Sequence, residues 1–310
     1  MTRDLTIEAD RTRAPSPRQP PPRQPPPRIG VVLSGGGARG FAHAGFLRAL
    51  NHLGIYPDII VGVSMGAVVG GTYALNHAWY DDLIDMDTSG FPLLPDFSEE
   101  GTINYLKNLR LSQKVITGMY FGWGAGQPTV EWGRAMLRRL TLGKTLEEAR
   151  IPIFASATDM ESGERVVIGS GLAEDAIYAS SALAGILPPA SRDGRLLIDG
   201  GYSDLAPIDV ARNAGADIVI VSDAATSFRS SLPVNGIQAM YRAIEICQNE
   251  HTRLRAAQAD LVIRPQFDTP VGVLDFKRKR HCAAAGARAT FRMRRNLLEL
   301  MSRGAATANR

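Results

Sequence analysis

Ser64 stands between two glycines in Gly62-Val63-Ser64-Met65-Gly66, directly after the apolar run Ile59-Ile60-Val61 and ahead of an uncharged run, Ala67 to Ala74. A hydroxyl on a sharp turn between a strand and a helix is the nucleophile-elbow arrangement, and its chemistry is attack on a carbonyl carbon. Bending a strand straight into a helix strains the turn residue, which is tolerated only if its neighbours lack bulk. Gly62 and Gly66 supply that room. Ser64 would then stand at the carboxyl edge of a sheet, with the positive end of a helix dipole behind it. Glycine is common here, 31 residues of 310, so the five-residue pattern alone also fits a glycine-packed corner with an incidental serine.

A second glycine run, Gly35-Gly36-Gly37-Ala38-Arg39-Gly40, lies between the apolar stretch Ile29 to Ser34 and a segment of helical spacing. It satisfies the dinucleotide fingerprint G-x-G-x-x-G, which also needs an acid near the end of the next strand. Asp58 instead precedes that strand, whose end carries Val63 and Ser64. No Gly-Lys-Ser/Thr follows, so the Walker A pattern fails as well. What remains is anion binding by bare backbone N–H groups. Attack on a carbonyl puts negative charge on its oxygen, and each preorganised donor there is worth roughly 3–4 kcal/mol. Adjacent parallel strands would bring Gly36, Gly37 and Ala38 close to Ser64, so one motif supplies a nucleophile and the other an oxyanion hole.

The base is less clearly marked. His43, His52 and His77 fall on early helices, His251 on a charged helix and His281 in a basic terminal run; none occupies the strand-end loop that a triad histidine needs. Asp199 ends the apolar run Arg195 to Ile198 and is followed by Gly200 and Gly201, which leave its carboxylate unobstructed. Partial burial would lift such a group toward a useful basicity. Asp159, Asp204 and Asp223 sit at comparable strand ends or loops and stay in contention.

Positioning these groups calls for alternating strands and helices. Strands are expected at 29–34, 59–63, 151–159, 164–169, 195–199, 217–223 and 261–265. Helices are expected to Leu53, behind Ser64, at 101–112, 130–141, 145–150, 174–187, 207–214 and 235–258. The order describes one α/β domain with a mostly parallel sheet. Residues 91–150 form a helical insertion that could cap an apolar substrate or simply pack on the sheet. Residues 1–28, rich in Pro, Arg and Gln, read as an extended disordered tail. The uncharged stretch 59–80 is long enough to cross a bilayer, yet its glycines suit a buried strand and helix better.

Two cysteines, Cys247 and Cys282, make neither a disulfide framework nor a metal cluster. No basic-then-apolar leader opens the chain, so a cytoplasmic location is expected. The net charge of +4 conceals an asymmetry. Residues 277–310 carry ten Lys/Arg against one acid, Glu299, a net of +9, which leaves −5 for the remainder. This basic end, expected as a terminal helical segment over 271–310, is either a solvated helix face or a contact for anionic membrane.

GGGARG (35–40), GVSMG (62–66) and DGG (199–201), in this order and separation, resemble the three signatures of the patatin-like phospholipases. ATDMESGE (157–164), YASSALAGILPP (178–189) and DGGYSDLAPI (199–208) fit as well, and the likeness covers residues 29–225 of a domain spanning 29–310. The resemblance implies a three-layer α/β/α fold and a Ser64–Asp199 dyad without histidine. It also implies an oxyanion site from the backbone of residues 36–38, with Arg39 anchoring that loop and no metal or cofactor. The implied partner is a fatty-acyl ester of a lipid, not nucleic acid. Two residues depart from the family pattern: Ala184 replaces a usual proline, and Asp204 a common asparagine. Two alternatives stay open, a non-catalytic lipid- or phosphate-binding module on the same fold and a Ser-His-Asp esterase or thioesterase.

Overall fold

Strands β1 (Ile29–Leu33) and β2 (Ile59–Val63) lie side by side and parallel in the computed structural model, which describes residues 26–90, 127–225 and 236–307 with a few isolated positions between. A 3-10 turn, Gly37–Phe41, runs from the first glycine motif into helix α1 (Ala42–His52). β2 turns directly into α2 (Met65–Leu75), followed by α3 (Trp79–Ile84), α4 (Gln127–Leu140) and β3 (Ile153–Asp159). Then come β4 (Arg165–Ile168), α5 (Ala173–Ser181), β5 (Ala190–Arg192) and β6 (Arg195–Asp199). Next are α6 (Ile208–Asn213), β7 (Ile218–Ser222), α7 (Gly236–Ala256) and β8 (Leu261–Ile263). Helices α8 (Lys279–Arg292) and α9 (Arg294–Thr307) close the described chain.

The strands join in one sheet of order β5-β6-β3-β2-β1-β7-β8, with β4 paired to β3 off this path. Side chains alternate between two cores. Val31, Leu33, Ile60 and Ile220 face one, while Val32, Ile59, Val61, Val219 and Val221 face the other with Ile208 and Ala211 of α6. With both faces covered, the central strands read as unbroken apolar runs. The architecture is therefore the expected three-layer α/β/α sandwich.

The far end of the sheet leaves the simple βα alternation. Along one edge of β3, residues 155–158 pair antiparallel with β4. Along the other, Val63↔Ser156 is the last pair with β2 and Ala157↔Asp199 the next, with antiparallel β6. β6 thus takes over β3 where β2 stops. That exchange brings the residue after β2, Ser64, beside the last residue of β6, Asp199.

Two expectations need adjustment, the first at 145–150, where the expected helix is only a 3-10 turn, Leu146–Glu148. The helix expected over 174–187 ends at Ser181, because the Ala182 carbonyl leaves the helical path to accept the Asp199 N–H at 3.0 Å. The basic terminal segment is helical as expected, as two helices divided at Met293; Cys282, Ala285, Ala289 and Leu297 are buried while Arg280, Arg288, Arg292 and Arg295 are exposed. In the insertion, α4 is docked on the core through buried Leu137 and Leu140 and the Arg138–Glu174 pair. The helix expected at 101–112 and the tail through residue 25 lie outside the described residues. Among the described residues, no helix is long and apolar enough to cross a membrane.

Candidate active site

The turn after β2 is strained where the chemistry would need it. Ser64 has φ 54° and ψ −124°, a left-handed conformation disfavoured for a residue with a Cβ. The packing leaves no slack on either side. A methyl on Gly62 would come within 2.5 Å of Ala67 Cα, and one on Gly66 within 2.1 Å of the Leu33 carbonyl oxygen. The close approach at Gly66 joins the elbow helix to the end of β1, so the two glycine motifs adjoin. Gly35 faces the elbow as well, since a methyl there would lie 3.4 Å from Ser64 Cβ.

Ser180 was not singled out by sequence spacing, yet it fixes the elbow. Its hydroxyl accepts the Ser64 N–H at 2.9 Å and donates to the Ser156 carbonyl at 2.6 Å. An i-to-j contact 116 residues apart in the chain leaves no periodic signal to find it by.

Asp199 is 5 % exposed and accepts the Gly201 N–H at 2.8 Å, and the Ser64 hydroxyl bears on its carboxyl as a donor. Burial is the largest influence and pushes its carboxyl up to about 6, although those two donors pull the other way. A carboxylate of that basicity is matched to proton transfer near neutrality. Thr158 donates to the Asp199 carbonyl at 2.9 Å and Gln248 Nε2 to the Gly201 carbonyl at 2.9 Å, so the corner is held from β3 and from α7.

The rival aspartates are occupied. Asp223 pairs with Arg264 at 3.0 Å, Asp204 with Arg165 at 2.8 Å and Arg255 at 2.9 Å, and Asp159 lies 4.0 Å from Arg195. Among the described residues, Asp199 forms no ion pair. No histidine touches the pair either. His43 is fully buried between the Ser222 hydroxyl and the Ser34 carbonyl, each at 2.8 Å, and burial holds it down at about 4. His251 is exposed on α7, and His281 packs near the Phe267 ring.

The first glycine motif forms a tight loop with Gly36 at φ 145° and Gly37 at φ 55°. Arg39 is buried and reaches back to the Gly36 carbonyl at 3.4 Å while its Nη2 pairs with Glu245 at 3.0 Å. The loop is thereby tied to α7. Of the three amides expected to face an oxyanion, that of Ala38 is spent on the Val273 carbonyl at 2.7 Å. Those of Gly36 and Gly37 make no hydrogen bond to a described residue.

Gly40 packs on Met65 of the elbow helix, and a methyl on Gly200 would strike the Ser156 carbonyl at 2.0 Å. The motif glycines are thus contact points between segments. The arrangement offers a strained serine, a buried carboxylate beside it that accepts the Gly201 N–H and forms no ion pair among the described residues, and two glycine amides without a hydrogen-bond partner among those residues.

Residues 31–212 match the family model described as patatin-like phospholipase. The lysophospholipase NTE1 of Cryptococcus neoformans is 34% identical over 195 residues, which is 63% of this chain and 11% of that protein. Patatin-like phospholipase domain-containing protein 7 of Mus musculus is 34% identical over 197 residues, 63% of this chain and 13% of the relative. The chain therefore corresponds to a small part of the length of these relatives. VipD from Legionella pneumophila overlays 88% of this chain and 68% of its own at a TM-score of 0.47 and 16% identity. With a family model matched over more than half its length, the chain belongs to the patatin-like phospholipase family.

Proposed function

We propose that this chain is a serine acyl hydrolase that cleaves fatty-acyl esters of phospholipids or lysophospholipids through Ser64 and Asp199. The observation that carries the proposal is a serine on a strained strand-to-helix turn whose hydroxyl bears on the buried carboxylate of Asp199, which forms no ion pair among the described residues. Ser64 Oγ attacks the ester carbonyl carbon as Asp199 takes the hydroxyl proton. The oxyanion that forms is met by the N–H groups of Gly36 and Gly37, with the dipole of α2 behind Ser64. Collapse of the tetrahedral intermediate breaks the ester C–O bond, and Asp199 returns its proton to the departing alkoxide. Water then attacks the acyl-serine, again giving a proton to Asp199, and the fatty acid leaves as Ser64 is reprotonated.

The relatives named lysophospholipase and patatin-like phospholipase support a lipid ester as substrate. A fluorophosphonate probe should label Ser64 covalently, and Ser64→Ala should abolish both labelling and hydrolysis of short and long acyl esters. Hydrolysis by Ser64→Ala at the wild-type rate would overturn the assignment. Absence of labelling in the wild-type chain would favour a non-catalytic lipid-binding module.

A finer part of the proposal concerns the surface that presents the lipid. Arg280 and Arg288 of α8 pair with Asp85 and Asp268, all four exposed, and such pairs are weak enough to exchange for lipid phosphate. Lys277 and Arg294 of the same basic segment are exposed as well. Co-sedimentation with anionic vesicles should fall in a Lys277→Glu/Arg294→Glu variant. Unchanged binding would remove this part alone.

A further inference from the structure

Residues beyond 212 lie outside the matched family region, yet some of them touch the first glycine motif. After β8 the chain returns to the Gly37–Phe41 turn, where the Val273 carbonyl accepts the Ala38 N–H at 2.7 Å. The approach is close enough to exclude a side chain: a methyl on Gly37 would come within 2.2 Å of that carbonyl and 2.6 Å of Val273 Cγ1.

Val273 itself is held from both sides. Val271 and Phe276 are buried, and the Phe276 ring meets Phe41 edge-on at 6.3 Å. Behind this contact α8 lies on α1 at a separation that only glycine permits. A methyl on Gly45 would fall 1.7 Å from the Ala283 carbonyl, and one on Gly286 1.8 Å from that of Ala42. The glycine loop therefore sits between two packed helices and one carbonyl from a distant segment.

We infer that Val273 is a positioning residue for acyl transfer, its main-chain carbonyl holding Ala38 so that the neighbouring N–H groups of Gly36 and Gly37 keep the direction an oxyanion needs. The inference rests on the acyl-hydrolase proposal above. Its physical ground is that a loop of consecutive glycines has more conformations to lose than any other backbone. Oxyanion donors act through preorganisation, so an external tie on such a loop raises the rate without touching substrate. The opposite role, a carbonyl plugging a third donor, predicts the opposite sign when the contact is loosened.

The test compares Val273→Gly and Val273→Ala with wild type on an ester and on its thionoester, whose sulfur fits amide donors poorly. Loosening the backbone in Val273→Gly should lower kcat for the ester about ten- to hundredfold with little change in KM. It should lower the ester-to-thionoester rate ratio and speed amide exchange at Ala38, while Val273→Ala stays near wild type. Leu297→Val, a change at a buried position of α9 outside the glycine loop, controls for lost stability and should leave the ratio unchanged.

Equal losses on both substrates, or faster turnover in Val273→Gly, would overturn the inference. Should Val273→Gly not fold, a wild-type rate ratio and a wild-type Ala38 exchange rate in the double variant Val273→Ala/Val271→Ala would overturn it equally. A wild-type enzyme with no preference for the ester would instead remove the oxyanion proposal itself.

Discussion

Asp199, at the end of β6, and Asp204, five positions on in the loop that follows, are 5 % and 4 % exposed and live in opposite electrostatic surroundings. Asp204 shares Arg165 and Arg255 with Asp209, two cations against two anions. The network lines an open cleft of about 560 Å³ together with Tyr202, Ser203 and His251. In the same network the Arg165 hydrogen bonds hold Asp209 down at about 2. Among the described residues Asp199 has only a hydroxyl and an amide to meet its charge, and burial raises it to about 6. Burial alone therefore does not make a base; burial without a compensating cation does. The paired aspartate ties β4, α6 and α7 to the loop, whereas the unpaired one is costly to keep and available for proton transfer.

The sharpest way to break this contrast is Asp199→Asn. Turnover should fall by at least about a thousandfold, since the amide cannot accept the Ser64 proton. The same change should stabilise the fold above pH 6. Folding lifts this carboxyl from 3.8 to about 6, so its favourable contribution is complete below pH 3.8 and is lost as pH rises through 6. By pH 8 the ionised, buried group opposes folding by up to about 3 kcal/mol. A thermal melt at pH 8 that shows no gain for Asp199→Asn would contradict the electrostatic account even if activity is lost.

Asp204→Ala should behave in reverse. Two arginines lose a partner, and the fold should weaken by about 2–4 kcal/mol, held below the fully buried case because both guanidiniums keep some solvent. Denaturant titration reads the loss, while kcat of the remaining folded enzyme should change far less than in Asp199→Asn. A loss of kcat as large as that of Asp199→Asn would end the division of labour between the two residues.

Ser180→Ala leaves the Ser64 amide without its acceptor. It should cost about 1–2 kcal/mol in stability and about tenfold in kcat, with KM nearly unchanged. Steady-state kinetics on a soluble ester checks it, and an unchanged kcat would show that the elbow is held by its glycines alone.

The smallest effect concerns acid. His43 is kept neutral by burial, its value lowered from 6.5 to about 4 in the folded chain. The stability it contributes is present above pH 6.5 and is lost as pH falls through 4, because the unfolded chain takes the proton first. His43→Gln should flatten the decline of melting temperature across that window. An identical slope would assign the acid sensitivity elsewhere.

Much of the site was legible because it is local. Gly62, Ser64 and Gly66 fall within five residues, and the steric demand of a strand-to-helix turn is written in those residue types alone. The loop at residues 35–40 is legible for the same reason, since a chain that must bare its amides has to omit side chains. Which carboxylate meets Ser64 was not local. Asp159, Asp199, Asp204 and Asp223 look alike in the chain, and they separate only when Arg195, Arg165, Arg255 and Arg264 are brought to three of them.

The order of strands and helices, the elbow and the bare glycine loop were thus determined by sequence, through hydrophobic period and side-chain size. Tertiary structure alone decided that β6 replaces β2 along β3, that Ser180 holds the elbow and that Val273 takes the Ala38 amide. The physical reason is that a pairing partner or a compensating charge arrives from distances such as 39 residues for Arg165 and Asp204 or 116 for Ser180 and Ser64, and no spacing in the chain records its arrival.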